Sequence, residues 1–340
     1  MAFKAEHNMK IAVIGCGSIG KRHIRNLLAL GVHDIIAYDK DAKQLAAVET
    51  DTGIRALHSL PEIISRKPDA VLVCTPNSLH VPVAFKFAKI GSQLFIEKPL
   101  SHNLDGVDQL LAEVNEQKLI TMVGCNFKFH PSFIKMKAIL ESGILGKILS
   151  ARCQFGQYLP DWHPWEDYRT GYSARSDLGG GILLDSHEFD YMQWFLGDVS
   201  ELFCFAGKVS NLEIDTEDTA EVLIKFQNGT IAGIHLDYTQ RAYQRNYEFF
   251  GENGTLKWDF QERKVWLYLA SENKWEVFEE PRNYNLNEMY TEEMKHFIES
   301  IMNEKETITD IFAGWRTLKL IMAAKASAED GKMKKFGEVC

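Results

Sequence analysis

The 340-residue sequence predicts an α/β protein with two domains, the first built on a parallel sheet and the second on a mostly antiparallel sheet. A length of 340 residues fits two domains at roughly 150 residues each. The N-terminal part alternates short, continuously apolar runs with amphipathic stretches, which is typical of parallel strands joined by helices. After about residue 126, long runs alternate apolar and polar residues between turn signals, as antiparallel strands do. We therefore place the first domain at residues 1–126 and the second at 127–340, whose final helix is expected to pack back on the first domain.

In the first domain, each apolar run predicts a strand and each amphipathic stretch predicts a helix. The predicted strands are residues 11–14, 34–38, 70–73, 93–96 and 120–123, and the predicted helices are residues 21–30, 43–49, 81–89 and 104–117. Strands that are apolar throughout are expected where helices cover both faces of a sheet. The first domain is therefore predicted to be a three-layer α/β structure.

In the second domain, paired alternating runs predict hairpins between helices. The predicted helices are residues 131–142, 288–302 and 309–330, and the predicted hairpins pair 222–226 with 230–238, 247–250 with 255–260, and 265–269 with 274–278. The first hairpin has Asn-Gly at its turn, which is a strong hairpin signal.

The strands of this second sheet bear apolar side chains that need to be covered. They are Val222, Ile224, Phe226, Ile234 and Leu236. Because large exposed apolar surfaces are uncommon on monomers, we expect a homodimer or homotetramer formed through this sheet.

Charge and composition exclude several classes of protein. Lys plus Arg total 38 against 47 Asp plus Glu, a net charge of −9, which does not suit binding to nucleic acid or to anionic membranes. No apolar stretch approaches the roughly 20 residues that a membrane-spanning helix needs. The six cysteines lie far apart without a Cys-x-x-Cys pair, and the histidines lack ligand spacing. We expect a cytoplasmic protein with reduced thiols and no metal.

A glycine-rich turn follows the first strand. It runs Gly15-Cys16-Gly17-Ser18-Ile19-Gly20 and opens a helix. Glycines in this position allow a tight turn and close approach of a pyrophosphate to the helix N-terminus. The motif alone is weak evidence, but a strand before it and a helix after it favour a dinucleotide site over a plain glycine turn.

Asp39 ends the second predicted strand. A carboxylate at this place accepts hydrogen bonds from the adenosine ribose hydroxyls and repels a 2′-phosphate, which favours NAD over NADP. Lys40 and Lys43 lie nearby in the sequence and weaken that preference. The alternative is an ordinary solvated turn residue.

Two further motifs follow the third and fourth predicted strands, residues 70–73 and 93–96. The third strand leads into Thr75-Pro76-Asn77 and then His80, and the fourth leads into Glu97-Lys98-Pro99. A lysine at the end of a strand, next to a dinucleotide turn, is well placed to exchange a proton with a substrate hydroxyl. Without a dinucleotide turn nearby, the pair Glu97-Lys98 would instead indicate two solvated surface residues.

Together with residues 179–190 (GGGILLDSHEFD) in the second domain, these motifs resemble the glucose–fructose oxidoreductase / inositol dehydrogenase / rhizopine-catabolism (Gfo/Idh/MocA) family. The resemblance extends to the final helix and so spans essentially the whole chain. It implies a Rossmann domain that binds NAD(P), a second domain with a large open-faced sheet, and a sugar-type substrate. It also implies residue roles: Lys98 transfers the proton, His187 is a second acid–base or substrate residue, and the cofactor contacts are Thr75, Pro76, Asn77, His80 and Glu97.

The spacing of Asp185 and His187 departs from the family pattern, in which the Asp precedes the His by three or four residues. Two residues apart on a helix, these side chains would point about 200° from each other. Asp185 with Glu188 also has the spacing of a helix N-cap pair. Both a substrate role and a capping role therefore stay open for Asp185, as do a catalytic role and a buried structural role for His187.

An aromatic segment in the second domain, residues 158–169, suits sugar stacking and hydrogen bonding. Its candidate substrate residues are Tyr158, Trp162, His163, Arg169 and, just beyond it, Tyr172. The alternative is a subunit interface, where Trp and Tyr are also enriched.

The sequence therefore predicts an NAD-dependent oxidoreductase that acts on a secondary alcohol of a sugar, sugar derivative or sugar nucleotide. Two alternatives share the fold: an NAD-dependent glycosidase, and a non-catalytic regulator that senses a dinucleotide. The presence of both Lys98 and His187 argues against the regulator, because a binding module needs neither.

Overall fold

The computed structural model describes residues 9–185 and 187–337. Its strands are β1 (Ile11–Ile14), β2 (Ile35–Tyr38), β3 (Arg55–Ala56), β4 (Ala70–Val73), β5 (Gln93–Ile96), β6 (Thr121–Val123), β7 (Ile148–Gly156), β8 (Val199–Gly207), β9 (Thr219–Phe226), β10 (Ile231–Asp237), β11 (Gln244–Gly251), β12 (Gly254–Asp259), β13 (Lys264–Leu269), β14 (Lys274–Glu279) and β15 (Lys334–Lys335). Its α-helices are α1 (Ser18–Ala29), α2 (Ala42–Thr52), α3 (Leu60–Ser65), α4 (His80–Ala88), α5 (Val107–Gln117), α6 (Pro131–Glu141), α7 (Ile182–Asp185), α8 (Glu188–Leu196), α9 (Asn287–Met302) and α10 (Ile311–Asp330).

The chain divides into two compact units. The first contains the residues up to Asn126 and Leu286–Leu318, and the second contains Phe127–Asn285 and the residues from Lys319 onward. The first unit has a parallel sheet in the order β3-β2-β1-β4-β5-β6. Every residue of β1 and β4 is buried, as expected for strands covered on both faces. This doubly wound parallel sheet confirms the predicted fold class of the N-terminal domain.

The segment 286–318 groups with the first unit, although the sequence placed it in a single domain at 127–340. Helix α9 packs against α1, and Asn287 donates to Asn26 at 2.8 Å. The Cys125 N–H also donates to the buried carboxylate of Glu293 at 2.6 Å. These contacts join residues far apart in the chain, which a boundary drawn from local texture does not detect.

The second unit is built on a sheet in the order β14-β13-β12-β11-β7-β10-β9-β8-β15. All of its strand pairs are antiparallel except β10 with β7, which confirms the mostly antiparallel sheet that the sequence predicts. Helices α6, α7 and α8 pack against its strands. The sequence analysis gave no bounds for β7 and β8, whose residues alternate less cleanly between buried and exposed than those of β9 do.

The five apolar side chains that were expected to be covered by a second subunit are not exposed. Val222, Ile224, Phe226, Ile234 and Leu236 are already buried within this chain. Because strand side chains alternate between faces, the neighbours of these residues form the opposite face. The large apolar side chains exposed there include Phe205, Leu223 and Ile231, with exposed fractions of 69%, 61% and 56%.

Within the described ranges 9–185 and 187–337, no helix is long and apolar enough to cross a membrane. The same residues contain no group of three or more His, Cys, Asp or Glu side chains arranged to hold a metal ion. Five described cysteines are free thiols, and all five are buried: Cys16, Cys74, Cys125, Cys153 and Cys204.

Candidate active site

The glycine turn between β1 and α1 is shaped by close main-chain approaches. Gly15 has a φ of +97°, and a Cβ there would collide with the main-chain carbonyl of Cys74. A Cβ at Gly20 would collide with the carbonyl of Gly15. At Gly17, in contrast, no atom of the described residues lies within 4 Å of the position that a Cβ would take. Two glycines therefore close the turn, and the third leaves its outer side open for a ligand.

The first turn of α1 is suited to an anion. Gly17 is its N-cap residue and supplies no side chain to cap the helix. Ser18 is exposed and Ile19 is half-buried at the start of the helix. Main-chain N–H groups in the first turn of a helix lack intrahelical acceptors and lie at the positive end of the helix dipole. A pyrophosphate fits such a turn.

Asp39 lies at the end of β2 and ties the glycine turn to that strand. Its Oδ2 accepts a hydrogen bond from the Cys16 N–H at 2.7 Å, and its Oδ1 accepts from the Asp41 N–H at 2.8 Å. A carboxylate has about four acceptor positions, so these two bonds leave capacity for ribose hydroxyls. Asp39 therefore has a structural role in the turn that the sequence did not reveal.

The turn after β4 contains Thr75, Pro76 and Asn77, and His80 begins α4 behind it. His80 is 1% exposed, and its Nε2 and Nδ1 each lie 2.8 Å from a main-chain carbonyl, that of Thr75 and that of Pro99. Burial lowers the pKa of His80, while the hydrogen bonds to these carbonyls oppose that change. The two ring nitrogens of His80 thus connect the turn after β4 with the turn after β5.

Glu97 follows β5, and its carboxylate is fixed from within the first unit. The buried ring of His23, on α1, donates through Nε2 to Glu97 Oε1 at 2.6 Å. Burial by itself raises the pKa of Glu97, but the hydrogen bond from His23 and the charges of His23 and Lys98 hold that pKa below its usual range. Glu97 is therefore an oriented, ionised carboxylate next to the half-buried Lys98.

The turns after β1, β2, β4 and β5 meet at one edge of the parallel sheet, because parallel strands all end on the same side. Their contacts link Gly15 to Cys74, Asp39 to Cys16, and His80 to Pro99. The Thr75 hydroxyl is buried here without a hydrogen-bond partner among the described residues. An open glycine position, an uncapped helix start and an unpartnered buried hydroxyl together fit a dinucleotide.

In the second unit, His187 precedes α8 and packs against Tyr191. The two rings are stacked, with centroids 5.5 Å apart and planes 3° apart, and the Tyr191 hydroxyl lies 3.2 Å from His187 Nδ1. Tyr191 is itself fixed, because its oxygen accepts from the Phe127 N–H at 3.2 Å. The His187 N–H donates to Glu188 Oε2 at 2.9 Å. His187 is thus held at both its ring and its main chain.

Asp185 is not a helix N-cap, which corrects one of the two expected roles. It is the last residue of α7, and His187 is the N-cap residue of α8. The buried Asp185 carboxylate accepts from the hydroxyls of Tyr172 at 2.6 Å, Ser173 at 2.6 Å and Tyr238 at 2.9 Å. Asp185 thereby orients Tyr172, which is partly exposed at the surface of this unit.

The aromatic segment contains packed and exposed side chains. Trp162 packs edge-on against Phe155 and Tyr238, and its indole N–H donates to the Gln157 carbonyl at 3.2 Å. The guanidinium of Arg241 lies over the ring of Tyr158, with its Cζ 3.6 Å from the centroid of that ring.

The remaining predicted residues of this segment are on the surface. His163 is exposed, and its ring lies edge-on to that of Trp165. Arg169 pairs with Asp167 at 2.8 Å and with Glu213 at 2.7 Å, so its charge is already matched within the chain.

Sequence reasoning missed two residues that position the candidate groups. His23 lies three residues after Gly20, on the face of α1 that turns toward Glu97. Tyr191 lies four residues after His187, where helical geometry places side chains on one face. The positions of His23 and Tyr191 were visible in the sequence, but only the structure shows that His23 bonds Glu97 and that Tyr191 bonds His187.

Comparisons with known proteins identify the family of the chain. Residues 9–125 match the family model described as "Oxidoreductase family, NAD-binding Rossmann fold", and residues 133–257 match the one described as "GFO/IDH/MocA C-terminal domain". The chain is 31% identical to myo-inositol 2-dehydrogenase of Thermotoga maritima, over 97% of this chain and 99% of that protein. The chain belongs to the Gfo/Idh/MocA family. The resemblance seen in the motifs is thereby confirmed, and with it membership of an NAD-binding oxidoreductase family.

Two further proteins are similar at lower identity. The scyllo-inositol 2-dehydrogenase (NAD(+)) of Bacillus subtilis is 24% identical over 96% of both chains. The crystal structure of the WlbA dehydrogenase from Bordetella pertussis, in complex with NADH and UDP-GlcNAcA, superposes with a TM-score of 0.83 at 21% identity, covering 97% of this chain and 99% of that one. The last comparison supports the fold.

Proposed function

We propose that this Gfo/Idh/MocA protein is an NAD-dependent dehydrogenase that oxidises a secondary alcohol of a sugar, sugar derivative or cyclic polyol. The observation that supports it most is the Glu97-Lys98 turn, at the same sheet edge as the open glycine turn and with the Glu97 carboxylate fixed by His23. A lysine next to a fixed carboxylate, at the sheet edge that carries the dinucleotide turn, suits proton exchange with a substrate hydroxyl. NAD, when bound, supplies the hydride acceptor.

The residues that hold the dinucleotide are proposed from their places in the first unit. The first turn of α1, from Gly17 to Ile19, binds the pyrophosphate, and Asp39 accepts from the adenosine ribose. Thr75, Asn77 and Glu97 contact the remainder of the cofactor. His80 contributes indirectly, because its ring connects the turns that contain Thr75 and Lys98.

Proton transfer is assigned to Lys98 and His187. Deprotonated Lys98 takes the proton of the substrate hydroxyl, and in the reverse reaction its ammonium returns that proton. His187 is engaged at Nδ1 by Tyr191, so we assign its exchange with the substrate to Nε2. Acid–base assistance of this kind contributes typically 10²–10⁴-fold to a rate.

An uncharged polyhydroxy substrate fits the second unit better than a sugar nucleotide does. A diphosphate needs cationic side chains, but Arg169 pairs with Asp167, Arg175 pairs with Asp177, and buried Lys128 pairs with Asp190 at 2.7 Å. The myo-inositol dehydrogenase of Thermotoga maritima is named for such an uncharged polyol. We therefore favour sugars and cyclic polyols, with sugar nucleotides as the alternative.

We also propose that the protein assembles as a cytoplasmic homodimer or homotetramer. The supporting observation is the exposed apolar face of the second sheet at Phe205, Leu223 and Ile231. Exposed apolar surfaces of this kind are typical of protein–protein contacts.

The first experiment titrates the purified protein with NADH and NADPH by fluorescence quenching, after any co-purified nucleotide has been removed and identified. Preferential binding of NADH is the expected result, and it leads to a screen of inositols, monosaccharides and sugar nucleotides at 340 nm. Cleavage of a glycoside without net absorbance change would replace the proposal with the glycosidase. Nucleotide binding without any turnover would favour the regulator, and absence of binding would overturn the dinucleotide site itself.

A further inference from the structure

A buried ion pair adjoins the candidate proton-transfer residue His187. Glu188 is 0% exposed and the Arg245 side chain is 6% exposed. Arg245 approaches Glu188 Oε1 with Nη2 at 2.6 Å and with Nε at 2.8 Å. The Tyr247 hydroxyl lies 3.3 Å from the same oxygen. One oxygen of the carboxylate is thus bound from the sheet side by residues of β11.

The other oxygen of the same carboxylate binds His187. Glu188 Oε2 accepts the main-chain N–H of His187 at 2.9 Å. The carboxylate therefore joins strand β11 to the residue that begins α8. Because the Glu188 side chain is 0% exposed, we assign it no contact of its own with substrate.

Aromatic side chains restrict the Arg245 guanidinium. It lies 4.2 Å from the ring centroid of Phe127, 5.1 Å from that of Phe155 and 5.7 Å from that of Tyr191. Tyr191 is also the residue whose ring stacks on His187. The guanidinium thus packs against the ring that supports the imidazole and pairs with the carboxylate that binds its main chain.

Stability alone does not explain this ion pair. Removing two charges from water costs several kcal/mol per ion, and replacing a buried pair by apolar residues of similar volume is often neutral or stabilising. In some proteins, buried ionic groups instead fix one arrangement of the groups around them. Here the group so fixed is His187.

We propose that Glu188 and Arg245 are positioning residues for His187: Glu188 holds the main chain of His187, and Arg245 fixes Glu188 from the sheet. This inference rests on the proposed function, in which His187 exchanges a proton with the substrate. It assigns no direct chemical role to either residue.

The test compares two double variants that lack both charges. Glu188→Met/Arg245→Met removes the acceptor of the His187 N–H, whereas Glu188→Gln/Arg245→Met keeps a carbonyl oxygen there. Each removes the whole ion pair, so neither leaves a buried charge unpaired. Because they differ only at the group that binds His187, a purely structural role for the pair predicts the same behaviour from both.

We expect the Met/Met variant to lose at least tenfold in kcat with little change in the KM of the substrate or in NADH affinity. The Gln/Met variant should recover most of that loss. Thermal unfolding of both variants shows whether they are folded. Equal kcat values in two folded double variants would overturn the proposal. If both unfold, Glu188→Gln alone, which keeps the acceptor and Arg245, is compared with Arg245→Lys by the spectroscopic measurement below.

A measurement without turnover separates this inference from the proposed function. The ¹H–¹³C ring signals of His187 are assigned by their loss in His187→Gln. We expect them to shift in Met/Met and to stay near the wild-type position in Gln/Met. For the single variants, we expect the wild-type position in Glu188→Gln and a shift in Arg245→Lys. An unshifted His187 signal in every variant would refute positioning, whereas a shifted signal in a protein that oxidises no alcohol would refute only the proposed function.

Discussion

The ring of Tyr191 lies parallel to that of His187, 5.5 Å away, with its hydroxyl 3.2 Å from His187 Nδ1. The hydroxyl is held by the Phe127 N–H, so it fixes one nitrogen of the imidazole while the stacked ring fixes its plane. In a histidine, the hydrogen bond made by one ring nitrogen determines which nitrogen carries the proton and which is left to exchange one. Tyr191 therefore links the aromatic core of the second unit to the acid–base role that we propose for His187.

Tyr191→Phe should lower kcat by roughly tenfold, because Nδ1 loses its partner while the stacked ring remains. Loss of a buried hydrogen-bond partner for Phe127 should also cost about 1 kcal/mol of unfolding free energy. Steady-state kinetics and thermal denaturation measure both effects. Tyr268→Phe, which removes a hydroxyl bonded to Asn273, is the control and should leave kcat unchanged. An unchanged kcat in folded Tyr191→Phe would contradict the role of Nδ1.

Lys98→Met should reduce kcat by at least 10²-fold, because it removes the proposed proton acceptor and keeps an unbranched side chain only one atom shorter. The dissociation constant of NADH should change little, since the pyrophosphate turn and Asp39 are intact. Fluorescence titration and turnover at 340 nm give the two numbers. Lys89→Met, at the end of α4, is the control for removal of one positive charge from the same unit. Near-normal turnover by Lys98→Met would remove this residue from the mechanism.

Asp39→Asn should raise the affinity for NADPH relative to NADH by about tenfold, or about 1.4 kcal/mol. The substitution removes the charge that repels a 2′-phosphate, but an amide oxygen remains to accept the Cys16 N–H. Parallel titrations with the two nucleotides measure the ratio. Asp41→Asn is the matched control, because Asp41 caps α2 with a side-chain oxygen that Asn also provides. The same change of ratio in both variants would mean that general charge, and not position 39, selects the nucleotide.

The fold was largely predictable because local patterns determine most of its elements. The strands β1, β4 and β5 coincide with the runs that predicted them, since strands buried on both faces of a parallel sheet consist almost entirely of apolar residues. The Asn228-Gly229 turn predicted its hairpin for a local reason too. The membership of residues 286–318 in the first unit was not predictable in this way, because it depends on contacts such as that between Cys125 and Glu293.

The candidate site was predictable in its motifs but not in its hydrogen bonds. Glycine spacing revealed the turn at Gly15, and the ends of strands revealed Lys98. The partner of each polar group is set by tertiary packing: Asp39 binds the glycine turn, and Asp185 binds Tyr172. Sequence spacing offered a capping role for Asp185 because it describes a continuous helix, whereas the chain ends α7 at Asp185 and begins α8 three residues later.

Leu223→Glu should convert an oligomer into a monomer. Leu223 is exposed and lies in register with Phe203 on β8. A charge there would be desolvated without a partner on association. Sedimentation velocity measures the mass, and Ile134→Glu, at an exposed apolar position on α6, is the control. A wild-type protein that sediments as a monomer would end the assembly proposal.

His235 should make the stability of the second unit fall at alkaline pH. It lies between Asp237, 2.9 Å from Nε2, and Glu221, 2.6 Å from Nδ1. The hydrogen bond to Asp237, followed by that to Glu221, raises the pKa of His235 to about 9, although partial burial opposes the change. A raised pKa means that the folded protein binds the proton more tightly than the unfolded chain does. The contribution is therefore complete below about pH 6.5, decreases as the pH rises, and is lost as it passes about 9.

His235→Gln should remove that pH dependence. After allowance for solvent at this half-buried site, we expect the variant to be less stable than wild type by on the order of 1–2 kcal/mol at pH 6 and nearly equal to it at pH 9.5. Thermal or urea denaturation at several pH values measures the difference. His33→Gln, at an exposed histidine of the first unit, should show no such trend. A stability difference that stays constant from pH 6 to 9.5 would show that His235 contributes through packing and not through its charge.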